Sequence, residues 1–321
     1  MEKMRPTVVV SKCLGFAACR YNGQVIPDEF VRGMEKHVDF IPVCPEMEIG
    51  LGVPRSPIRI VLEGERKILF QPSTGRDVTR EMGDFSDGFL SSLGAVDGFI
   101  LKNGSPSCGP RNVKAYIGKD KVTRTVRESG FFGGSVLAAF PDLPAEDEGR
   151  LRNFTLREHF LVRLFTLRRF RDVERAGTIG ALVEFHTRHK LLLLACSQAG
   201  MREMGRIIAR HDRTNAPALI AEYRGRLEKA LAKPFTPGSI INVLLHAFGG
   251  FSEDLSSGEK KFFLDSIEEY RDERIPLSTL VYLLRSWSHR FGNRYLLDQV
   301  FIDPYPRDLV EIADSGKGRD L

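Results

Sequence analysis

The sequence predicts an α/β domain on an open, mainly parallel sheet (Rossmann-like), followed by an all-α helical bundle. Three observations carry that reading. Short β-rich runs alternate with glycine-punctuated polar segments through residues 1–142, a proline- and acid-rich stretch interrupts them, and apolar residues then recur at three- and four-residue spacings. At 321 residues the chain is long enough for two cores. Its 42% hydrophobic and 28% charged content are those of an ordinary globular protein. No stretch approaches the ~20 apolar residues of a membrane span. Met1–Pro6 leads straight into a strand, without the apolar segment and cleavage site of a signal peptide. A cytoplasmic protein with no membrane partner is expected.

The elements follow in order. Strands are expected at Thr7–Ser11, 40–43, 58–61, 67–70, Gly98–Leu101 and 136–140, because each is a short run rich in β-branched or aromatic residues. Helices are expected at 28–37 and 78–93, the second with Asp77 placed to cap it. Residues 143–150 read as a linker, rich in acids and without periodicity. In 151–321 the spacing of Leu156, Phe160, Leu164 and Leu167 is helical, 180–208 repeats it, and Pro217, Pro234 and Pro276 punctuate later helices. About six helices are expected, with no internal repeat.

Five cysteines are too few and too scattered for a disulfide framework. Cys13, Cys44 and Cys108 each lie just past an apolar run that reads as a strand. The carboxyl ends of parallel strands share one edge, and ligands bind in the crevice outside it. Three distant thiols therefore converge, as for a metal centre with one open position. Soft thiolate donors of this kind suit an iron–sulfur cluster or zinc with three thiolates and water; no Cys-x-x-Cys pair occurs and His37 is the only histidine in this half. Cys19 falls near Cys13 in sequence and is open as fourth ligand, resolving thiol or packing residue; a supporting, non-ligating place is taken for it. Cys196, inside the apolar run 191–196, reads as packing. Glu46, two residues past Cys44, is the first choice for proton transfer. Ser105 and Ser107 flank the Cys108 turn and can donate hydrogen bonds, although Ser-Pro and Ser-Cys-Gly also suit tight bends. Gly104 and Gly109 would let the backbone approach a bulky group closely.

The charge is uneven. Residues 1–150 are neutral, 151–233 hold 17 basic against 8 acidic side chains, and 234–321 are net negative, giving +5 overall. A positive segment of this kind suits a polyanion, or is a solvated helical face. Arg163, Arg168, Arg169 and Arg171 form its densest cluster and are the expected phosphate contacts. His186, His189 and Lys190 share a helix, where RNA contact and a structural network are both open. His246 reads as a packed helix residue.

Four segments carry a resemblance: Ser11-Lys-Cys-Leu-Gly-Phe-Ala-Ala-Cys-Arg-Tyr-Asn-Gly23; Val43-Cys-Pro-Glu46 with Gly50-Leu-Gly-Val-Pro-Arg-Ser-Pro57; Gly75-Arg-Asp-Val-Thr79; and Leu101-Lys-Asn-Gly-Ser-Pro-Ser-Cys-Gly109. Together they resemble the thiouracil desulfidase (TudS) family. Phe185-His-Thr-Arg-His-Lys190, Asn242-Val-Leu-Leu-His246, Tyr270-Arg271, Ile275-Pro276 and Pro304-Tyr-Pro306 resemble the YbgA-type domain, and the fused order resembles RudS-type tRNA 4-thiouridine desulfidases. Where the YbgA pattern has a histidine and a tyrosine after the His-Lys helix, this chain has Cys196 and Met201. The resemblance implies a 4Fe–4S cluster with Cys13, Cys44 and Cys108 as its three ligands and a fourth iron open to sulfur, with Ser105 catalytic beside Glu46. It implies a non-redox enzyme that converts 4-thiouridine in tRNA to uridine and releases sulfide, the helical half holding the tRNA. Asp77 and Thr79 read as helix caps. Desulfuration of free thiouracil, with the helical half as an oligomerisation module, and a non-catalytic cluster-bearing nucleic-acid sensor are the alternatives. No obligate protein partner is evident.

Overall fold

In the computed structural model, residues 5–119, 124–210 and 215–309 are described. The first and last residues of the two expected domains lie outside them. The chain divides into two compact units, Met1–Arg152 and Asn153–Leu321.

In the first unit, β1 (Thr7–Ser11), β2 (Asp39–Val43), β6 (Gly98–Leu101) and β9 (Ala145–Asp147) form a four-stranded sheet in the order β2-β1-β6-β9. Every pairing in it is parallel. Central β1 aligns Val8 with Phe40 on one side and Gly98 on the other. Val8, Val9, Val10, Phe99, Ile100 and Leu101 are all fully buried, as expected where helices and a second layer cover both faces of a parallel sheet.

The fourth strand is the main surprise. Part of the segment expected as the linker 143–150 is β9, pairing with β6 at Phe99↔Ala145 and Leu101↔Asp147. Its acids are structural. Glu146 pairs with Arg150 at 2.7 Å, Asp147 Oδ1 accepts from the Arg150 N–H at 2.8 Å, and Glu148 pairs with Lys102. Acid content that reads as a solvated linker is here matched, charge by charge, by a long-range fold.

The runs 58–61 and 67–70 are strands but leave the main sheet. They fall in β3 (Arg59–Glu63) and β4 (Arg66–Gln71), which form a hairpin in a second sheet, β5-β4-β3-β7-β8, with β5 (Arg76–Asp77), β7 (Val113–Ile117) and β8 (Thr125–Glu128). Only β3–β7 is parallel there. The two-residue Gly64-Glu65 turn, with Gly64 at φ 59°, closes the hairpin too tightly for a crossover.

The helices of this unit are α1 (Glu29–Met34), capped by the Asp28 side chain, α2 (Pro45–Glu48), α3 (Thr79–Ser92) and α4 (Phe131–Ala139). Asp77 stands one residue ahead of the N-cap of α3 and accepts from the Thr79 N–H at 2.9 Å. The Thr79 hydroxyl instead receives the Leu69 N–H. The expected strand 136–140 is largely the end of α4. A short apolar run has no periodicity to separate buried helix from buried strand, and here Phe132 and Val136 are buried one turn apart. Both sheets, α3 and α4 share one core through Val9, Phe99, Ile60, Leu69, Met82 and Phe132.

The second unit is all helical among its described residues: α5 (Phe154–Ala176), α6 (Ile179–Cys196), α7 (Gln198–Ala209), α8 (Ala216–Ala230), α9 (Pro237–Gly249), α10 (Ser257–Arg271), α11 (Leu277–Arg290) and the single-turn α12 (Arg294–Leu297). That is more than the expected six, because Ser197 both closes α6 and caps α7, hiding a boundary inside 180–208. Helix α6 packs on α7, α8 and α9. Buried Gln299 pins it, donating to the Thr187 carbonyl and accepting from the Leu191 N–H.

Candidate active site and metal centre

All four strands of the parallel sheet deliver side chains past their carboxyl ends. Cys13 follows β1, Cys44 and Glu46 follow β2, Lys102, Ser105, Ser107 and Cys108 follow β6, and Glu148 follows β9. The crevice at a parallel sheet's carboxyl edge thus collects the candidate residues, as their positions in sequence implied.

The thiols of Cys13, Cys19, Cys44 and Cys108 are buried and free of disulfides. Burial pushes the Cys13 thiol up to about 12, helped by the neighbouring Cys108 and Cys19 and opposed by Lys102. Burial also raises Cys44, again with Cys108 and Cys19 nearby. Cys108 is pushed up to about 11 by burial, opposed chiefly by hydrogen bonding from the Ser11 hydroxyl. Cys108 and Cys19 thus stand near both Cys13 and Cys44. Among the described residues, no three His, Cys, Asp or Glu side chains come together as the ligands of one metal ion. In a cluster each thiolate binds a different iron, so the ligand sulfurs stand further apart than around a single ion. The donor set is sulfur alone, and desolvated thiols give up their protons once a cation neutralises them. In donor chemistry the residues present fit an iron–sulfur cluster.

Beside the thiols runs a buried hydrogen-bond chain. Arg55 Nε donates to Glu46 Oε2 at 2.7 Å, and both side chains are almost wholly buried. Ser107 Oγ donates to Glu46 Oε1 at 2.6 Å. Ser107 has one hydroxyl proton and spends it on Glu46, so at the 2.9 Å contact between the two serines Ser105 is the donor. Ser105 Oγ in turn accepts from the Cys108 N–H at 3.1 Å. Ser107 is fully buried and Ser105 only partly, so Ser105 is the more open end of the chain and Ser107 its internal link. The turn-forming reading of Ser107 thus gives way to a link between Ser105 and Glu46.

Sequence reasoning missed Arg55. Its Nη1 also donates to the carbonyls of Cys19 at 3.0 Å and Gly52 at 2.9 Å, so one guanidinium fixes Glu46 and the Cys19 loop together. Its only signal was a lone cation inside a glycine- and proline-rich turn. Lys102 was missed too. Its N–H donates to Ser11 Oγ at 2.8 Å, and its ammonium, paired with Glu148, faces Cys13.

The Cys108 loop is clamped by α4. The N–H groups of Gly130, Phe131 and Gly133 donate to the carbonyls of Gly109, Pro106 and Ser107. A Cβ on Gly133 would lie 2.5 Å from the Cys108 carbonyl oxygen, so only glycine lets the helix come this close. At Gly109 the crowding comes from Val113 and the Ser105 carbonyl, within the protein's own turn.

Residues 8–148 match the 2-thiouracil desulfurase family. The chain belongs to it. YbbK of Bacillus subtilis (strain 168), an uncharacterized protein, is 34% identical over 111 residues, 32% of this chain and 72% of its own length. Residues 190–306 match the family DUF1722, of unknown function. The uncharacterized protein YbgA of Escherichia coli (strain K12) is 30% identical over 158 residues, 49% of this chain and 93% of its own length. The chain is thus a fusion of the two families. A solved [4Fe-4S]-dependent thiouracil desulfidase, TudS, is 25% identical with a TM-score of 0.35, covering 46% of this chain and 94% of that one. Among the described residues, no helix is long and apolar enough to cross a membrane.

The expected RNA-facing residues of the second unit divide. Arg168 is a correction. Its side chain is 4% exposed and pairs with Asp172 at 3.0 Å, so it is no surface phosphate contact. Arg169 is also withdrawn: it donates to the Pro304 carbonyl at 2.6 Å, and burial lowers it to about 10. Arg163 and Arg171 are half-buried. His189 is buried and stacked on Phe185 at 3.8 Å, with Nδ1 against the Phe185 carbonyl; burial lowers it to about 3, which makes it a packing residue. His186 meets the Tyr223 hydroxyl at 3.0 Å and is lowered by burial, then by Lys190. Lys190 alone of the seven is exposed. His246, expected to be packed, is exposed as well. Helical periodicity identified the basic face but not which neighbour would cover it.

Proposed function

We propose that this protein is an iron–sulfur-dependent desulfidase that converts 4-thiouridine in tRNA to uridine with release of sulfide. The observation that carries the reading is the buried chain Arg55–Glu46–Ser107–Ser105 beside three convergent thiols. Family membership supplies the carbon–sulfur chemistry, and the fused helical half, with its excess of cations, supports a polyanionic substrate.

A 4Fe–4S cluster held by Cys13, Cys44 and Cys108 would supply, when bound, an iron with an open position, a Lewis acid for sulfur. The protein's own groups do the rest. Glu46 takes a proton from the water that adds at the thiocarbonyl carbon. Glu46 takes that proton through the chain: Ser105 at the opening receives it from the water as its own proton moves to Ser107 and that of Ser107 to Glu46, while Arg55 keeps the carboxylate aimed. Ser105 also orients the base, and the proton returns to the leaving sulfur. One water enters, hydrogen sulfide and the oxo base leave, and no electrons are transferred. A base within folded tRNA must also be brought out of its stack to reach this crevice.

The test is an anaerobic preparation incubated with 4-thiouridine-bearing tRNA, followed by nucleoside analysis and a sulfide assay. Stoichiometric uridine and sulfide are expected, and Cys13→Ala, Cys44→Ala and Cys108→Ala should each lose iron and turnover while Cys19→Ala keeps its iron. A second reading, desulfuration of free thiouracil with the helical half as an assembly module, is favoured by the internal pairing of Arg168 and Arg169. Turnover of free base with untouched tRNA selects it.

A further inference from the structure

A pocket of about 280 Å³ opens in the helical unit, between α6, α7, α9 and the α12 turn. Leu191 and Leu194 are among its apolar lining, Lys190, Arg202 and His246 are its cationic or titratable groups, and Tyr295 is 47% exposed at it. Three features set it apart from the surrounding surface.

First, no acidic residue lines it. Second, Lys190 and Arg202 form no ion pair or hydrogen bond among the described residues, and the exposed Arg206 of α7 and Arg294 of α12 nearby in sequence have none either, whereas Arg210 and Arg226 are paired with Glu222 and Glu203. Two uncompensated cations at the mouth of a concave surface focus a positive potential into it. Third, the exposed phenol of Tyr295 offers a flat face, and Gln198 and Asn293 offer amide groups that can read a base edge. The volume lies at the small end of ligand pockets (~300–1,000 Å³), enough for one nucleotide and little more.

We propose that this pocket binds a nucleoside monophosphate unit, with its phosphate between Lys190 and Arg202 and its base against Tyr295. The nucleotide is either free or one residue of an RNA chain. The RNA source rests on the tRNA reading above; the site itself does not. In the RNA case the pocket takes over the anchoring first expected of Arg168 and Arg169, which the fold uses internally.

The experiment uses the full chain, Lys190→Ala/Arg202→Ala and Tyr295→Ala. Unmodified tRNA binding is followed by fluorescence anisotropy across a salt series, and 5′-UMP and 5′-AMP binding by calorimetry. Circular dichroism establishes that each variant is folded, as the exposure of all three side chains predicts. The double variant should bind tRNA at least tenfold more weakly and lose about 1–2 units of salt slope, since two phosphate contacts are gone. Tyr295→Ala should weaken binding about fivefold or more with the slope unchanged, because stacking releases no counterions. If the wild type binds tRNA and all variants match it in affinity and slope, the pocket proposal is overturned while the tRNA reading stands. If the wild type fails to bind tRNA but binds a mononucleotide that the double variant loses, the pocket stands with a free nucleotide as its ligand, and the tRNA reading falls. If the wild type binds neither, both fall.

Discussion

Replacing Arg55 with methionine should loosen the active-site loops far more than any surface change. The Arg55 and Glu46 side chains are 4% and 11% exposed, and the Nε–Oε2 distance is 2.7 Å. Removing one partner of a buried ion pair costs about 3–5 kcal/mol, because the remaining charge is left uncompensated. Two carbonyls, of Cys19 and Gly52, lose their donor in the same step. At about 1.4 kcal/mol per decade, amide exchange in residues 19–23 and 44–55 should quicken by roughly two to three and a half decades, up to the limit of global unfolding. The assay is hydrogen–deuterium exchange on wild type, Arg55→Met, Glu46→Gln and the double variant. In the double variant the stranded charge is gone, so the two losses should couple by about 2 kcal/mol or more. Additivity within about 0.5 kcal/mol would refute the argument that Glu46 is held by Arg55.

Three further outcomes are expected. Glu46→Gln preserves shape and should keep its iron while losing about 10²–10⁴-fold in turnover, the usual worth of a general base; a fully active variant removes Glu46 from the chemistry. Gly133→Ala should push on the Cys108 carbonyl, lowering both melting temperature and iron content; wild-type values in both would show that α4 does not set the loop. His189 is held below its ordinary value by burial, at about 3. The unfolded chain therefore binds a proton that the folded one refuses, and stability is full above about pH 6.5 and lost as pH falls towards 3, by at most about 1.4 kcal/mol per pH unit. His189→Leu should flatten that acid limb when unfolding is followed by Trp287, the only tryptophan; an unchanged limb contradicts it.

The site was legible where a local signal coincided with the topology. Cys13, Cys44 and Cys108 follow apolar runs, and parallel pairing does bring those runs together. What escaped the sequence is what depends on distant partners. Arg55 has no local pattern, because its partners are a carboxylate nine residues before it and the carbonyl of Cys19. The strand Ala145–Asp147 was hidden by acids whose counter-charges, Lys102, Arg111 and Arg150, become apparent only in the fold. Arg168 and Lys190 are equally basic in sequence, yet one is covered and the other displayed.

The order β2-β1-β6-β9 has a consequence for biogenesis. Strand β1 is flanked on one side by a strand some ninety residues later, and the sheet's last edge comes only with residues 145–147. Such non-local pairing forms late. The four-strand edge that gathers Cys13, Cys44 and Cys108 is therefore complete only once residues 145–147 have been made, and under the function proposed above a cluster would enter a finished crevice after that point.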